Sequence, residues 1–211
     1  MLKVHNRKSS SLFKIQWEAM GWAFFAALLI RLFWIAPFEV TGNAMAPLLT
    51  GDRILSDRVL VNRLVYRFVA PKRGDIVVFE EADPLDSYKK IKSVRRIAAL
   101  PGETVYIKNE KLFINGKPPE DPFFKQQRYI FNADAGMNYG EQNSPAKVPE
   151  GSYYLLGDNT EESRDSRHKG YVSKENLAGK VFFRYWPFPR WGWIHTSKDS
   201  VLKEKGATPS K

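Results

Sequence analysis

Cysteine is absent from the 211 residues. That excludes a disulfide framework and any thiolate metal site. Histidine is scarce. His5, His168 and His195 are scattered along the chain and make neither a metal-ligating cluster nor a Ser-His-Asp set. No internal repeat is visible, and no helical apolar period continues beyond about residue 40. What is present is enough to build a core: 43% of the residues are hydrophobic and 14% aromatic. The formal charge of +10 points to an anionic partner, either nucleic acid or a phospholipid surface. The basic residues are spread along the chain, and an apolar run stands near its start. This favours membrane lipid as the partner, with no nucleic acid.

The first 16 residues contain Lys3, Arg7, Lys8 and Lys14 and no acid, and read as a cytoplasmic basic N-terminus. An apolar stretch follows, from Ala19 to Phe38, interrupted by one charge at Arg31. As a helix, twenty residues span about 30 Å, the thickness of a hydrocarbon core. Trp17, Trp22 and Trp34 suit the two interfaces, and Arg31 lies near enough to one end to snorkel. Residues 17–38 are therefore expected to form a single transmembrane helix, with the basic flank inside and the remainder outside the plasma membrane. A cleaved targeting peptide and a buried soluble helix are the other readings. The length of the run and the missing small-x-small site at Ala36-Pro37-Phe38-Glu39-Val40 weigh against the first.

Residues 39–196 read as a mainly β domain. Short apolar runs at Arg53-Ile54-Leu55, Asp75 to Phe79, Val94 to Leu100, Thr104 to Lys108, Lys111 to Asn115 and Ser152 to Leu156 alternate with turns, and Asn109-Glu110 is the best hairpin signal. Residues 118–148 read as a long excursion and 197–211 as a flexible tail. The densest polar stretch is Gly157 to Arg167, GDNTEESRDSR, set between the apolar runs Ser152 to Leu156 and Gly179 to Phe183. So many charges on one tight loop are costly to bury unless each has a partner.

The order of pieces is specific. Ala-Leu-Leu-Ile-Arg-Leu-Phe closes the apolar run. Gly42-Asn43-Ala44-Met45-Ala46-Pro47, Arg73 to Phe79, Arg95-Arg96-Ile97 before Leu100-Pro101-Gly102-Glu103, and Gly157 to Arg167 follow in turn. From about Ala27 to Pro187 the chain resembles the type I signal peptidases, membrane-anchored enzymes that cut signal peptides from exported proteins. The resemblance implies a signal-peptidase-like β-sheet domain on an N-terminal span, with its site at the outer membrane surface and no cofactor. It also implies a serine-lysine dyad, with the serine before Met-x-Pro attacking the carbonyl and a buried neutral lysine taking its proton.

At the implied nucleophile position stands Ala44, and a methyl group attacks nothing. At the implied base position stands Arg95, whose guanidinium does not deprotonate in a protein. The second oxyanion hydroxyl position is Gly42. The resemblance further implies Ser163 as the residue that orients the base, Met45 and Pro47 as the loop beside the cleft, and the salt bridges Arg96–Asp158 and Asp165–Arg167. Thr41 and Lys92 lie an odd offset from Ala44 and Arg95, so in extended chain they would face away. Ser93 could share a face with Arg95 but would lack a base. Arg95 is expected to reach Asp165 or a backbone carbonyl and plug the cleft. Phe38, Val40, Leu48, Leu49, Trp191 and Trp193 could form an apolar surface that dips into the bilayer. For most of the aromatics core packing is the preferred reading, and Trp191 and Trp193 are balanced between interface and core. His168 reads as a surface residue.

The expected function is non-catalytic: binding signal peptides or exported proteins, or assisting an active paralogue. An active signal peptidase with an unexpected nucleophile, an active enzyme inactivated by engineering, and a basic nucleic-acid or membrane-surface module are the alternatives.

Overall fold

The computed structural model describes residues 9–51, 56–83, 86, 88–131 and 138–194. The expected strand at 53–55, residues 1–8 and the tail at 197–211 lie outside them. The first helix, α1, runs from Ser9–Phe33. It starts before the apolar run, at Ser9, and ends before that run does, because residues 35–38 belong to a strand. β1, Ile35–Glu39, contains Pro37, which lacks an N–H and disfavours helix in the residue before it. An edge strand tolerates such a residue, and among the described residues β1 is the edge of the main sheet, pairing antiparallel with β2, Arg58–Asn62. Among the described residues no helix is long and apolar enough to cross a membrane. The apolar side chains of α1 nevertheless lie on its outside, Trp22 at 72% and Phe24 at 73% exposure.

After the one-turn helix α2, Val65–Phe68, come the central strands β3, Ile76–Ala82, and β4, Lys90–Ala99. A hairpin of β5, Thr104–Lys108, and β6, Lys111–Ile114, turns at Asn109-Glu110, both with positive φ (49° and 60°), as a two-residue hairpin that follows the sheet's twist requires. The chain continues through α3, Pro122–Gln126; β7, Ala146–Lys147; β8, Ser152–Leu156; α4, Ser166–Lys169; β9, Val172–Ser173; β10, Leu177–Trp186; and β11, Gly192–Trp193. The main sheet has the order β1-β2-β10-β3-β4-β8-β9, with β11 added to β10, and a smaller sheet has the order β6-β5-β7.

β3 explains its own unbroken apolar run. Ile76 and Val78 pack with Val40, Met45, Leu49, Val59 and Val61 on one face. Val77 and Phe79 pack with Ile97, Tyr153 and Leu155 on the other. A strand covered on both sides needs no polar alternation. This placement corrects the expected bilayer surface. Val40 and Leu49 are core residues at 2% and 0% exposure, whereas Trp191 and Trp193 are exposed. The 118–148 excursion is also more than a surface loop. Phe123, Phe124, Tyr129, Ala146 and Val148 fill a third core with Val105, Leu112 and Tyr154.

Candidate functional site

The Gly42-to-Pro47 segment leaves the sheet as a series of turns rather than as extended chain. Gly42 and Gly51 exchange backbone hydrogen bonds (2.9 and 3.3 Å), Ala46 N–H donates to Asn43 C=O (3.0 Å) and Leu49 N–H to Met45 C=O (2.8 Å). This alters the expectation for Thr41. The alternation rule holds only in extended chain, and here Thr41, Gly42, Ala44 and Met45 line one small cleft together with Val94 and Arg95. The cleft holds about 10 Å³, about the room one water needs. Residues far apart in sequence, Ala44 and Arg95, thus share one space.

The loop is clamped from the other end of the chain. The Arg184 Nη1 donates to Leu48 C=O (2.7 Å), and the Arg190 guanidinium donates to Thr50 Oγ1 (3.0 Å) and Pro47 C=O (3.2 Å). Both arginines meet Asp57, which is fully buried and accepts from Thr50 N–H at 2.8 Å. Sequence reasoning missed Asp57, Arg184 and Arg190. No local pattern marks them, because the clamp joins residues more than a hundred positions apart.

Gly157 to Arg167 wraps the opposite side. Gly157 admits no side chain. A Cβ there would lie 2.2 Å from Ser163 Oγ and 2.6 Å from Ala44 C=O, so three segments meet at that point. Asn159 N–H closes the junction on Ala44 C=O (3.0 Å). Every charge of the loop's inner half has a partner. Asp165 accepts from Gly157 N–H (2.9 Å) and from Arg167 Nε and Nη2 (2.9 Å each). Arg167 also donates to the carbonyls of Ile130 and Thr160. Ser166 Oγ accepts from Leu155 N–H (2.9 Å). Arg96 clasps Asp158 through two bonds, Nε to Oδ1 at 2.8 Å and Nη2 to Oδ2 at 2.5 Å, with both side chains at or below 2% exposure. Its guanidinium carbon lies 4.1 Å above the Phe123 ring. Burial lowers the Arg96 pKa, but the Asp158 carboxylate more than offsets this and leaves it raised.

Arg95 is different. It is 9% exposed and donates to two neutral acceptors, Val94 C=O (2.6 Å) and Arg164 C=O (3.2 Å). Its Nε–H is buried without a hydrogen-bond partner, and so is Ser163 Oγ, which is fully buried. Among the described residues Arg95 forms no ion pair. Burial lowers its pKa, with the charges of Asp165 and Glu81 acting in the opposite direction. The guanidinium still carries its charge at neutral pH. The other candidates near Arg95 are engaged elsewhere. Ser93 donates to Glu81, and Lys92, half exposed, sits 3.8 Å from Glu80.

On the far side of Arg95 opens a larger cleft of about 460 Å³, with apolar walls at Phe79, Leu155, Tyr171 and Val172 and charges of both signs, Arg164 and Lys169 beside Glu80, Glu81, Asp83 and Asp165. His168 is not the surface residue its charged neighbours suggest. It is 9% exposed, neither ring nitrogen has a hydrogen-bond partner among the described residues, and burial followed by the Arg167 charge lowers its pKa. Among the described residues no group of His, Cys, Asp and Glu could hold a metal ion.

Comparison with known proteins points to one family. A family model described as "Signal peptidase, peptidase S26" matches residues 14–186. The chain is 37% identical over 189 residues to signal peptidase I P of Bacillus subtilis subsp. natto, covering 88% of this chain and 94% of that protein. It is 34% identical to signal peptidase IB of Staphylococcus aureus, covering 79% and 85% respectively. A crystal structure of a signal peptidase I from Enterococcus faecalis V583 aligns at 30% identity with a TM-score of 0.39, over 53% of this chain and 97% of that one. With its mainly β fold and its closing GDN-to-SR loop, the chain belongs to the signal peptidase family, peptidase S26.

Proposed function

We propose that this chain is a non-catalytic signal peptidase I-like protein of the export pathway, which binds signal peptides or exported proteins or assists an active paralogue. One observation carries the reading. Ala44 and Arg95 line the same cleft, and neither side chain can perform the step its position would require. A methyl group supplies no nucleophile, and a guanidinium cannot accept a proton. Loss of the nucleophile alone costs about a million-fold in related serine chemistry. The close packing of Gly157 against Ser163 and Ala44, closed by the bond from Asn159 N–H to Ala44 C=O, supports retention of the shape without the chemistry.

In this reading α1 is a single-pass anchor in the plasma membrane, with a cytoplasmic N-terminus and the β domain on the outer side. The exposed tryptophans and phenylalanines of α1 and the acid-free basic segment before them support it. The test is cleavage of a model preprotein by the detergent-solubilised chain beside its Ala44→Ser/Arg95→Lys variant. The expected result is no product from the chain and product from the variant. Cleavage by the unmodified chain would overturn the reading.

A further inference from the structure

The two ends of the β1–β2 pair differ in what they expose. At the Glu39 end, where Arg58 lies opposite Trp186, the exposed aromatics Phe188, Trp191 and Trp193 have Arg184 and Arg190 beside them in the chain, and both arginines are engaged by Asp57 and by loop carbonyls. The Ile35 end is where α1 enters. Arg63 N–H donates to Trp34 C=O (2.9 Å), Ile35 lies opposite Asn62, and Asn62 Oδ1 accepts from the Leu64 and Val65 amides (3.1 Å each), so α2 begins beside the end of α1. Buried Asp75 fixes α2 from beneath, accepting from the Tyr66 hydroxyl (3.1 Å), the Lys72 amide (3.1 Å) and Lys180 Nζ (2.7 Å). With Tyr66 turned inward, the apolar run Phe68-Val69-Ala70 is exposed, Phe68 at 81%. Arg63, Arg67 and Lys72 are exposed too, and among the described residues none of the three forms an ion pair or a side-chain hydrogen bond. A lone exposed apolar residue needs no explanation. A run of three, bracketed by unpaired cations at the foot of a helix with exposed aromatics, points to a partner.

We propose that α2 and the turn after it form a second lipid contact, on the β domain itself. Phe68 and Val69 enter the headgroup region of a bilayer containing anionic phospholipid, and Arg63, Arg67 and Lys72 meet its phosphates. The proposal rests on the reading of α1 as a membrane anchor, because α1 brings this end of the sheet to the surface. Charge selects this end over the other. A guanidinium or ammonium without an internal partner gains from a lipid phosphate, whereas Arg184 and Arg190 already hold Asp57, so the opposite aromatic face offers apolar area without free charge. The contact would hold the β domain at a fixed tilt against the membrane, with the anchor as one support and α2 as the next.

The absence of cysteine makes the test clean, since one introduced thiol carries one probe. Full chains with Trp22→Cys, Phe68→Cys, Trp191→Cys or Tyr88→Cys, each bearing the same environment-sensitive fluorophore, are reconstituted into phosphatidylcholine vesicles with and without phosphatidylglycerol. Quenching by nitroxide-bearing lipid reports contact with the bilayer. With phosphatidylglycerol present, the probes at positions 22 and 68 should be quenched. The probe at 88, where Tyr88 is fully exposed in the β3–β4 turn, should not be. Three basic residues near an anionic surface together favour the bound position about a hundredfold. Arg63→Gln/Arg67→Gln/Lys72→Gln should therefore release the probe at 68 into water and leave the probe at 22 in lipid, as should phosphatidylcholine alone. A probe at 68 that stays in water beside a quenched probe at 22 would overturn this inference and leave the anchor standing. A probe at 22 that stays in water would remove the anchor reading and this inference with it. Quenching at 68 that persists in the triple variant or without phosphatidylglycerol would overturn the assignment to anionic lipid. Quenching at 191 but not at 68 would give the lipid contact to the opposite end of the sheet.

Discussion

Replacing Arg96 by methionine leaves the Asp158 carboxylate, its side chain 2% exposed, without its two charge-assisted bonds. It also removes the contact over Phe123 and the bond from Nη1 to Gly74 C=O (3.2 Å). Breaking one side of a buried pair costs about 3–5 kcal/mol, mostly the penalty of the stranded charge. At about 2–4 °C per kcal/mol for a domain of this size, the melting temperature should fall by about 6–20 °C. The same argument predicts recovery. With Asp158→Leu added, no charge is stranded, and most of the loss should return. Differential scanning fluorimetry of the detergent-solubilised single and double variants, with urea unfolding as a second probe, gives both numbers. A single variant that loses less than about 3 °C would refute the reasoning, as would a double variant no better than the single.

Gly157→Ala should be among the costliest small changes in the chain. Its methyl would meet Ser163 Oγ at 2.2 Å and Ala44 C=O at 2.6 Å, and overpacking of a tight core costs about 1–3 kcal/mol or more. A melting temperature unchanged from the parent would show that the junction is looser than described. His168 gives a pH signature. Its folded pKa lies below the ordinary 6.5, so the unfolded chain takes up the proton first. The stability it permits is fully present above 6.5 and is lost as pH falls from there toward the folded value. His168→Phe should flatten that part of the stability–pH curve, and an unchanged slope in urea titrations would remove His168 as the cause.

Some residues declared themselves in the chain. Arg96, Asp158, Asp165 and Arg167 stand in motifs whose charge density demands partners, and the structure joins them in two buried ion pairs. Asn109-Glu110 signalled its hairpin because a two-residue turn is a local matter. Other residues gave no local sign. Asp57, Arg184 and Arg190 clamp the Met45–Thr50 loop across the whole domain. That residues 35–38 form a strand was not legible locally either, because β1 exists through its pairing with β2, where Pro37 lies opposite Leu60. His168 lies among charged neighbours in sequence and is buried by Phe131 and its surroundings in space.

The sequence alone determined what chemistry is possible, because functional groups belong to residues. An alanine at position 44 has no nucleophile and an arginine at 95 has no dispensable proton, whatever surrounds them. Tertiary structure decided what those groups face. Packing of β3, β4, β8 and the Gly157 loop buried Arg95 and, among the described residues, gave it carbonyl partners only and left its Nε–H and the Ser163 hydroxyl unpaired. Desolvation and hydrogen bonding sum over segments that are distant in the chain, so they exist only once those segments have met.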